Sequence, residues 1–177
     1  MKKQSDFEQF SIPELGRADV DAEFLKYSRR RLLREYLPKI ERCLELLSDE
    51  DVWWRAHESN NSIGNLILHL TGNVRQWIVS GIGGAEDIRT RPQEFAERTM
   101  IPKEKLLNKL KAVLVEADAV LERFDPKHLL EVRRIQKYEM TCLDAISHVV
   151  EHFSHHTGQI IYATKLRKGM DLKFYDV

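Results

Sequence analysis

The chain lacks most of the features that would place it quickly in a class. It has only two cysteines among 177 residues. Cys43 and Cys142 lie far apart and outside any CxxC pair, so free thiols in a reducing, cytoplasmic setting are expected. Neither charge is in excess, with 28 Lys plus Arg against 28 Asp plus Glu. That balance removes the usual argument for a nucleic-acid partner. No apolar run approaches the ~20 residues that span a bilayer, so no membrane segment is expected. The opening Met1-Lys2-Lys3-Gln4-Ser5-Asp6 leads into polar residues and has no apolar core of a secretory leader. There is no internal repeat and no low-complexity segment. Gly81-Ile82-Gly83-Gly84 ends a helical pattern instead of opening one after a strand, so it is not a phosphate loop.

What is present describes a soluble, single-domain protein. Hydrophobic residues make up 42% and charged residues 32%, and a chain of this length hides roughly 70% of its unfolded surface on folding. Residues 1–19 mix charge with Pro13 and Gly16 and read as an arm, followed by a domain over 20–177. From Val20 to Leu47, apolar residues recur at three- and four-residue steps, which predicts a helix with a kink or break at Pro38. A second helix is expected over Ser62–Ser80, capped by Asn60, Asn61 or Ser62 and stopped by the glycines. Residues 85–100 are charged and read as a long loop or a short helical turn. A third helix starts at Pro102 and ends at Asp125-Pro126. Residues 127–140 are mixed, with a short extended piece or a further turn over 129–135. The last helix runs from Cys142 to about Arg167, between a Thr141 cap and Gly169. The sum is an all-α four-helix bundle with a long connection between its second and third helices.

Histidine supplies the chemistry. Of seven histidines, His148, His152, His155 and His156 crowd into the last helix. At ~100° per residue, His156 falls about 40° from His152. Both share a face with Ala145, Val149, Ile160 and Ala163, which is expected to look inward. Two imidazoles at i and i+4 can reach one metal ion. The third candidate is His69, which stands among Leu66, Ile67, Leu68 and Leu70 on the second helix, where a buried ring needs a hydrogen-bond partner or a metal. Phe153 follows His152 where a zinc protease would carry Glu, so that chemistry is excluded. Asn73, Gln76, His148, His155 and Gln159 lie near the three on their helical wheels and are expected to support the ligands or contact substrate. No carboxylate falls on the predicted metal face.

Two stretches carry a resemblance. Asn61-Ser62-Ile63-Gly64-Asn65-Leu66-Ile67-Leu68-His69-Leu70, with Gly72-Asn73 and Trp77, resembles the second helix of the DinB/YfiT-like metalloenzymes. His148-Val149-Val150-Glu151-His152-Phe153-Ser154-His155-His156-Thr157-Gly158-Gln159 resembles their last helix. The similarity runs in helix order from about residue 20 to 169. The chain departs from the pattern at Thr157, where Arg is frequent before Gly-Gln. The resemblance implies a four-helix bundle holding a divalent metal on a histidine triad, which falls here on His69, His152 and His156. It also implies a homodimer and, in some members, a transferase or isomerase activity that uses a low-molecular-weight thiol.

The expected function is therefore a metal-dependent thiol transferase or hydrolase acting on a small molecule, the metal activating a thiol or water. Zinc is the first choice, with nickel, iron and manganese open, because imidazole serves several ions. The alternative is a non-catalytic bundle whose histidines bind metal without turnover or are structural.

Overall fold

The structure, a computed structural model, describes residues 16–174. Residues 1–15 of the expected arm lie outside the described residues. The first rod begins at Arg17 and has three parts: α1 (Arg17–Arg30), a π-helical stretch (Arg31–Tyr36) and α2 (Leu37–Leu46). The chain does not break at Pro38, which sits in the first turn of α2. Proline has no N–H to offer the carbonyl four residues back, and the widened turn just before it absorbs the mismatch. A short α3 (Asp49–Trp53) follows, with the Ser48 hydroxyl accepting from the Asp51 amide.

The second rod is α4 (Ile63–Val74), continued by a second π-helical stretch (Arg75–Ile82). Ser62 caps it by accepting from the Asn65 amide at 3.2 Å. The rod ends at Gly83, followed by Gly84 at φ +77°, a conformation that favours glycine. The charged connection carries one short helix, α5 (Arg91–Ala96). Then α6 (Lys103–Arg123) starts one residue later than expected, with Pro102 just outside it as the cap. The mixed stretch after α6 folds into an antiparallel hairpin, β1 (Val132–Ile135) and β2 (Tyr138–Thr141), turned at Gln136 and Lys137. The final rod is α7 (Cys142–Lys168), with Thr141 accepting from the Asp144 amide and Gly169 closing it at φ 62°.

These rods make an all-α four-helix bundle. α4 packs on both α6 and α7, while α1 packs on α6 and on α7, and α2 also packs on α7. Contacts at the ends give the directions. Lys103 reaches the carbonyls of Leu44 and Leu47, and Arg167 reaches Asp51, so the end of α2, the start of α6 and the end of α7 share one pole. Gly81 meets Ile135 of the hairpin that feeds α7, so the end of the second rod and the start of α7 share the other. α4 and α6 thus run in the same direction, and residues 83–102 must cross the length of the bundle between them. That crossover is the long connection expected from the sequence, and it lays α5 along α4. No helix among the described residues is long and apolar enough to cross a membrane.

On α7 the inward face is centred elsewhere than the wheel predicts. Phe153, Ile146, Val149 and Ile160 are fully buried, and Phe153 stacks on Tyr36 of the first rod at 6.0 Å. His152 and His156 are only partly buried, at the edge of this face. Phenylalanine loses more by exposure than imidazole does, so it takes the axis of the bundle and turns the histidines towards α4.

Candidate metal centre

α4 and α7 run antiparallel, and their pairing places His69 opposite His152 and Asn73 opposite His148. His69 Nε2 lies 2.8 Å from His152 Nε2. The ring of His156 is edge-on to both, with centroids 5.1 Å from His69 and 4.4 Å from His152. One nitrogen from each of the three lies within 4.8 Å of the others, so the three could hold a metal ion.

The outer ring nitrogens are held. His69 Nδ1 is 2.8 Å from Glu94 Oε2, and His156 Nδ1 is 2.7 Å from the side-chain oxygen of Gln159. Both acceptors place the proton on Nδ1 and leave the Nε2 lone pair facing the centre. Arg89 Nη2 also lies 3.1 Å from His69 Nδ1, but it donates to Glu94 Oε2 at 2.8 Å. An Nδ1 that donates cannot also accept, so the carboxylate receives both groups.

Glu94 and Arg89 come from the crossover. The side chain of Arg89 is 4% exposed and that of Glu94 10%. Arg89 holds the carboxylate through Nε at 2.7 Å and reaches Gln76 Oε1 through Nη1 at 2.6 Å. Burial works to raise the Glu94 pKa, but the bonds from Arg89 and His69 outweigh it and leave the carboxyl below its ordinary value. Gly72 makes room for the pair, because a Cβ there would stand 1.9 Å from Glu94 Oε1. Asn65 ties the crossover to α4 one turn earlier, donating to the carbonyls of Glu94 at 2.8 Å and Glu97 at 3.2 Å.

Burial, reinforced by the neighbouring His156, His69 and His148 rings and by Arg89, pushes the His152 pKa down to about 3. Burial also lowers His156 and His148. All three rings are therefore neutral at neutral pH, the form that offers lone pairs.

The other residues expected near the centre divide by what they touch. Gln159 bonds His156, and its amide nitrogen lies 3.1 Å from His155 Nε2 at the exposed mouth. His148 stacks on His152 at 5.4 Å and lies 3.3 Å from the Asn73 amide. Trp77 packs edge-on against His148. Gln76 accepts from Arg89 and so braces the group behind His69. Sequence reasoning missed the roles of Glu94 and Arg89, and carried Gly72 only as part of the resemblance. The wheel placed no carboxylate on the metal face, and the one that bonds His69 lies on another element. Periodicity carries no signal for side chains in a crossover.

A four-coordinate ion with bonds of ~2.0–2.1 Å needs ligand nitrogens about 3.3 Å apart. The 2.8 Å separation of His69 from His152, and the 4.8 Å limit for the set, bracket that value. Three imidazole nitrogens at these separations are a donor set that could take a divalent ion.

Comparison with known proteins agrees with the fold. A structure of a conserved protein from Enterococcus faecalis is similar with a TM-score of 0.61 at 16% identity, covering 88% of this chain and 99% of that one. A DinB-like protein from Bacillus cereus ATCC 10987 is similar with a TM-score of 0.61 at 16% identity, covering 87% and 95%. No curated protein matches the sequence. The family described as "Protein of unknown function (DUF1572)" matches residues 19–177. With nearly the whole chain matched, the protein belongs to this DUF1572 family, and it shares its fold with the DinB-like protein.

Proposed function

We propose that the protein is a metal-dependent enzyme in which His69, His152 and His156 hold one divalent ion, zinc in the first instance, and a small molecule reacts on its open side. A low-molecular-weight thiol is the favoured nucleophile, which makes the activity an S-transfer. The observation that carries this reading is the convergence of three imidazole nitrogens within 4.8 Å, with two of the outer nitrogens held by Glu94 and Gln159. Three neutral nitrogen ligands with a remaining side free is the donor set of catalytic zinc, whereas structural zinc has four protein ligands.

When bound, the ion would act as a Lewis acid and lower the pKa of a thiol or water beside it. The protein's own groups then have defined tasks. Glu94 holds the His69 ring by its Nδ1 proton, and Arg89 keeps that carboxylate ionised. Gln159 holds the His156 ring. His155 is exposed at the mouth, where its Nε2 accepts from the Gln159 amide and steadies the side chain that holds His156. His148 closes the other flank against Trp77.

Elemental analysis of untagged protein, purified without added metal, tests the first step. One divalent ion per chain is expected, and His69→Ala, His152→Ala and His156→Ala should each lose it while keeping helical circular dichroism. Metal retained in all three variants overturns the site. Turnover with a panel of thiols and electrophiles tests the second step. A metal whose removal unfolds the bundle would instead mark the histidines as structural.

A further inference from the structure

One cleft is not explained by the histidines. It has a volume of ≈ 370 Å³ and lies at the pole where α7 ends, between residues 54–61, the first turn of α4 and the last turns of α7. That volume suits a small molecule. Gln159 is part of its wall and also holds His156, so the cleft adjoins the candidate metal centre. Trp54, Leu66, Tyr162 and Leu166 supply an apolar part of the wall, beside the polar Ser59, Asn60, Asn61 and Gln159.

Arg55 also lines this cleft, and like Arg98 it lacks the carboxylate that several other arginines have. Arg29, Arg75, Arg89 and Arg167 each sit on a carboxylate. Among the described residues Arg55 has only neutral acceptors. Nη2 donates to Asn65 Oδ1 at 2.8 Å and to the Glu97 carbonyl at 3.3 Å, and Nη1 donates to the Trp53 carbonyl at 3.4 Å. Its Nε is buried with no hydrogen-bond partner among the described residues. The one carboxylate in the cleft wall, Asp51, is taken by Arg167 and Lys168. Burial, with the like charge of Arg98, pushes the Arg55 pKa down. The guanidinium is thus a partly desolvated cation with no carboxylate partner among the described residues, and Nη1 keeps one hydrogen for an anion, for which a carboxylate oxygen is a charge-assisted acceptor. The adjacent start of α4 adds the positive end of a helix dipole.

We propose that Arg55 anchors the substrate's anionic group: a small carboxylate with an apolar body enters this cleft, its carboxylate on Arg55 and its other end towards Gln159 and the histidines. Asn65, which Arg55 holds, precedes His69 by four residues, so the anchor and the centre are offset by about 6 Å along α4. A small molecule bridges that distance. Which end reacts rests on the metal reading above; the binding does not.

The test therefore measures binding on the full chain, as purified and again after chelation of metal. 4-Phenylbutyrate and its neutral amide, 4-phenylbutyramide, are titrated by calorimetry or ligand-observed NMR. The carboxylate is expected to bind at least tenfold more tightly than the amide in both preparations, and more weakly as salt rises. Arg55→Gln should bring the two affinities together, and Arg55→Lys should keep part of the preference. Leu166→Glu, at an exposed position of the cleft wall, should weaken the carboxylate more than the amide without touching the bonds of Arg55. That variant decides the matter if Arg55→Gln fails to fold. An equal affinity for acid and amide in the unaltered protein, a preference undiminished in Arg55→Gln, or no saturable binding up to ~20 mM overturns the proposal. A preference that survives in the chelated protein and in His156→Ala upholds it, whatever the fate of the metal reading.

Discussion

At the scale of single residues, the decisive contact is the one behind His69. An imidazole ligand is aimed by whatever holds its other nitrogen, and here that is a buried carboxylate braced by a buried guanidinium. Glu94→Gln keeps the shape but removes the charge. It should weaken binding of zinc by about 10- to 100-fold, the usual range for losing such a partner. Competition with a chromogenic chelator measures this directly, and an unchanged affinity would show that the carboxylate does not orient the ligand. The histidines themselves were legible in the sequence, because four-residue spacing on one helix and a polar ring on an apolar stripe are local patterns. Glu94 and Arg89 were not, because their roles exist only once a crossover passes α4. Gly72 was legible only as part of a resemblance. Its physical reason, the carboxylate oxygen that would collide with a Cβ, is a tertiary fact.

At the scale of elements, ends were easier to read than interiors. Ser62, Thr141 and Gly169 act as the caps their chemistry implies. The widened turns at Arg31–Tyr36 and Arg75–Ile82 were not read from the apolar spacing, because a few residues of i→i+5 bonding are too short a run to set a period of their own. The hairpin between α6 and α7 was only half visible, because Val132 and Tyr138 are exposed and the alternation of buried and open positions is weak. A non-local cap joins two rods: Lys103 Nζ donates to the carbonyls of Leu44 at 2.8 Å and Leu47 at 2.6 Å, at the end of α2. Its charge also complements the negative end of that helix. Lys103→Met keeps the stem but strands both carbonyls. The expected loss is about 1–2 kcal/mol, or about 2–8 °C in Tm for a chain of this size. A variant that melts with the unaltered protein would mean that water replaces the cap without loss.

At the scale of the whole molecule, the same pole that houses the Arg55 cleft is closed by an ion cluster joining distant parts of the chain. Asp51 of α3 accepts from Arg167 Nε at 2.8 Å and from Lys168 Nζ at 2.8 Å, at the end of α7. The bond from Lys168 is the main force holding the Asp51 pKa at about 2, against a smaller opposing effect of burial and with help from Arg167. A carboxyl whose folded pKa lies below its unfolded value stabilises the fold wherever the unfolded chain is already ionised. The contribution is therefore complete above about pH 5, shrinks as pH falls through the ordinary carboxyl range near 4, and is gone below about 2. A shift of nearly two units sets a ceiling of about 2.5 kcal/mol, and the partly exposed partners, at 35% and 29%, reduce it to about 1 kcal/mol through solvent screening. Asp51→Asn should accordingly be less stable than the unaltered protein by about that amount at pH 7 in urea. The buried histidines act equally in both proteins, so only the difference between the two melts matters. That difference should persist at pH 5 and fade between pH 4 and pH 2. A gap that stays constant down to pH 2 would assign the effect of Asp51 to packing or to its cap on α3, and would leave α3 and the end of α7 without the electrostatic tie described here.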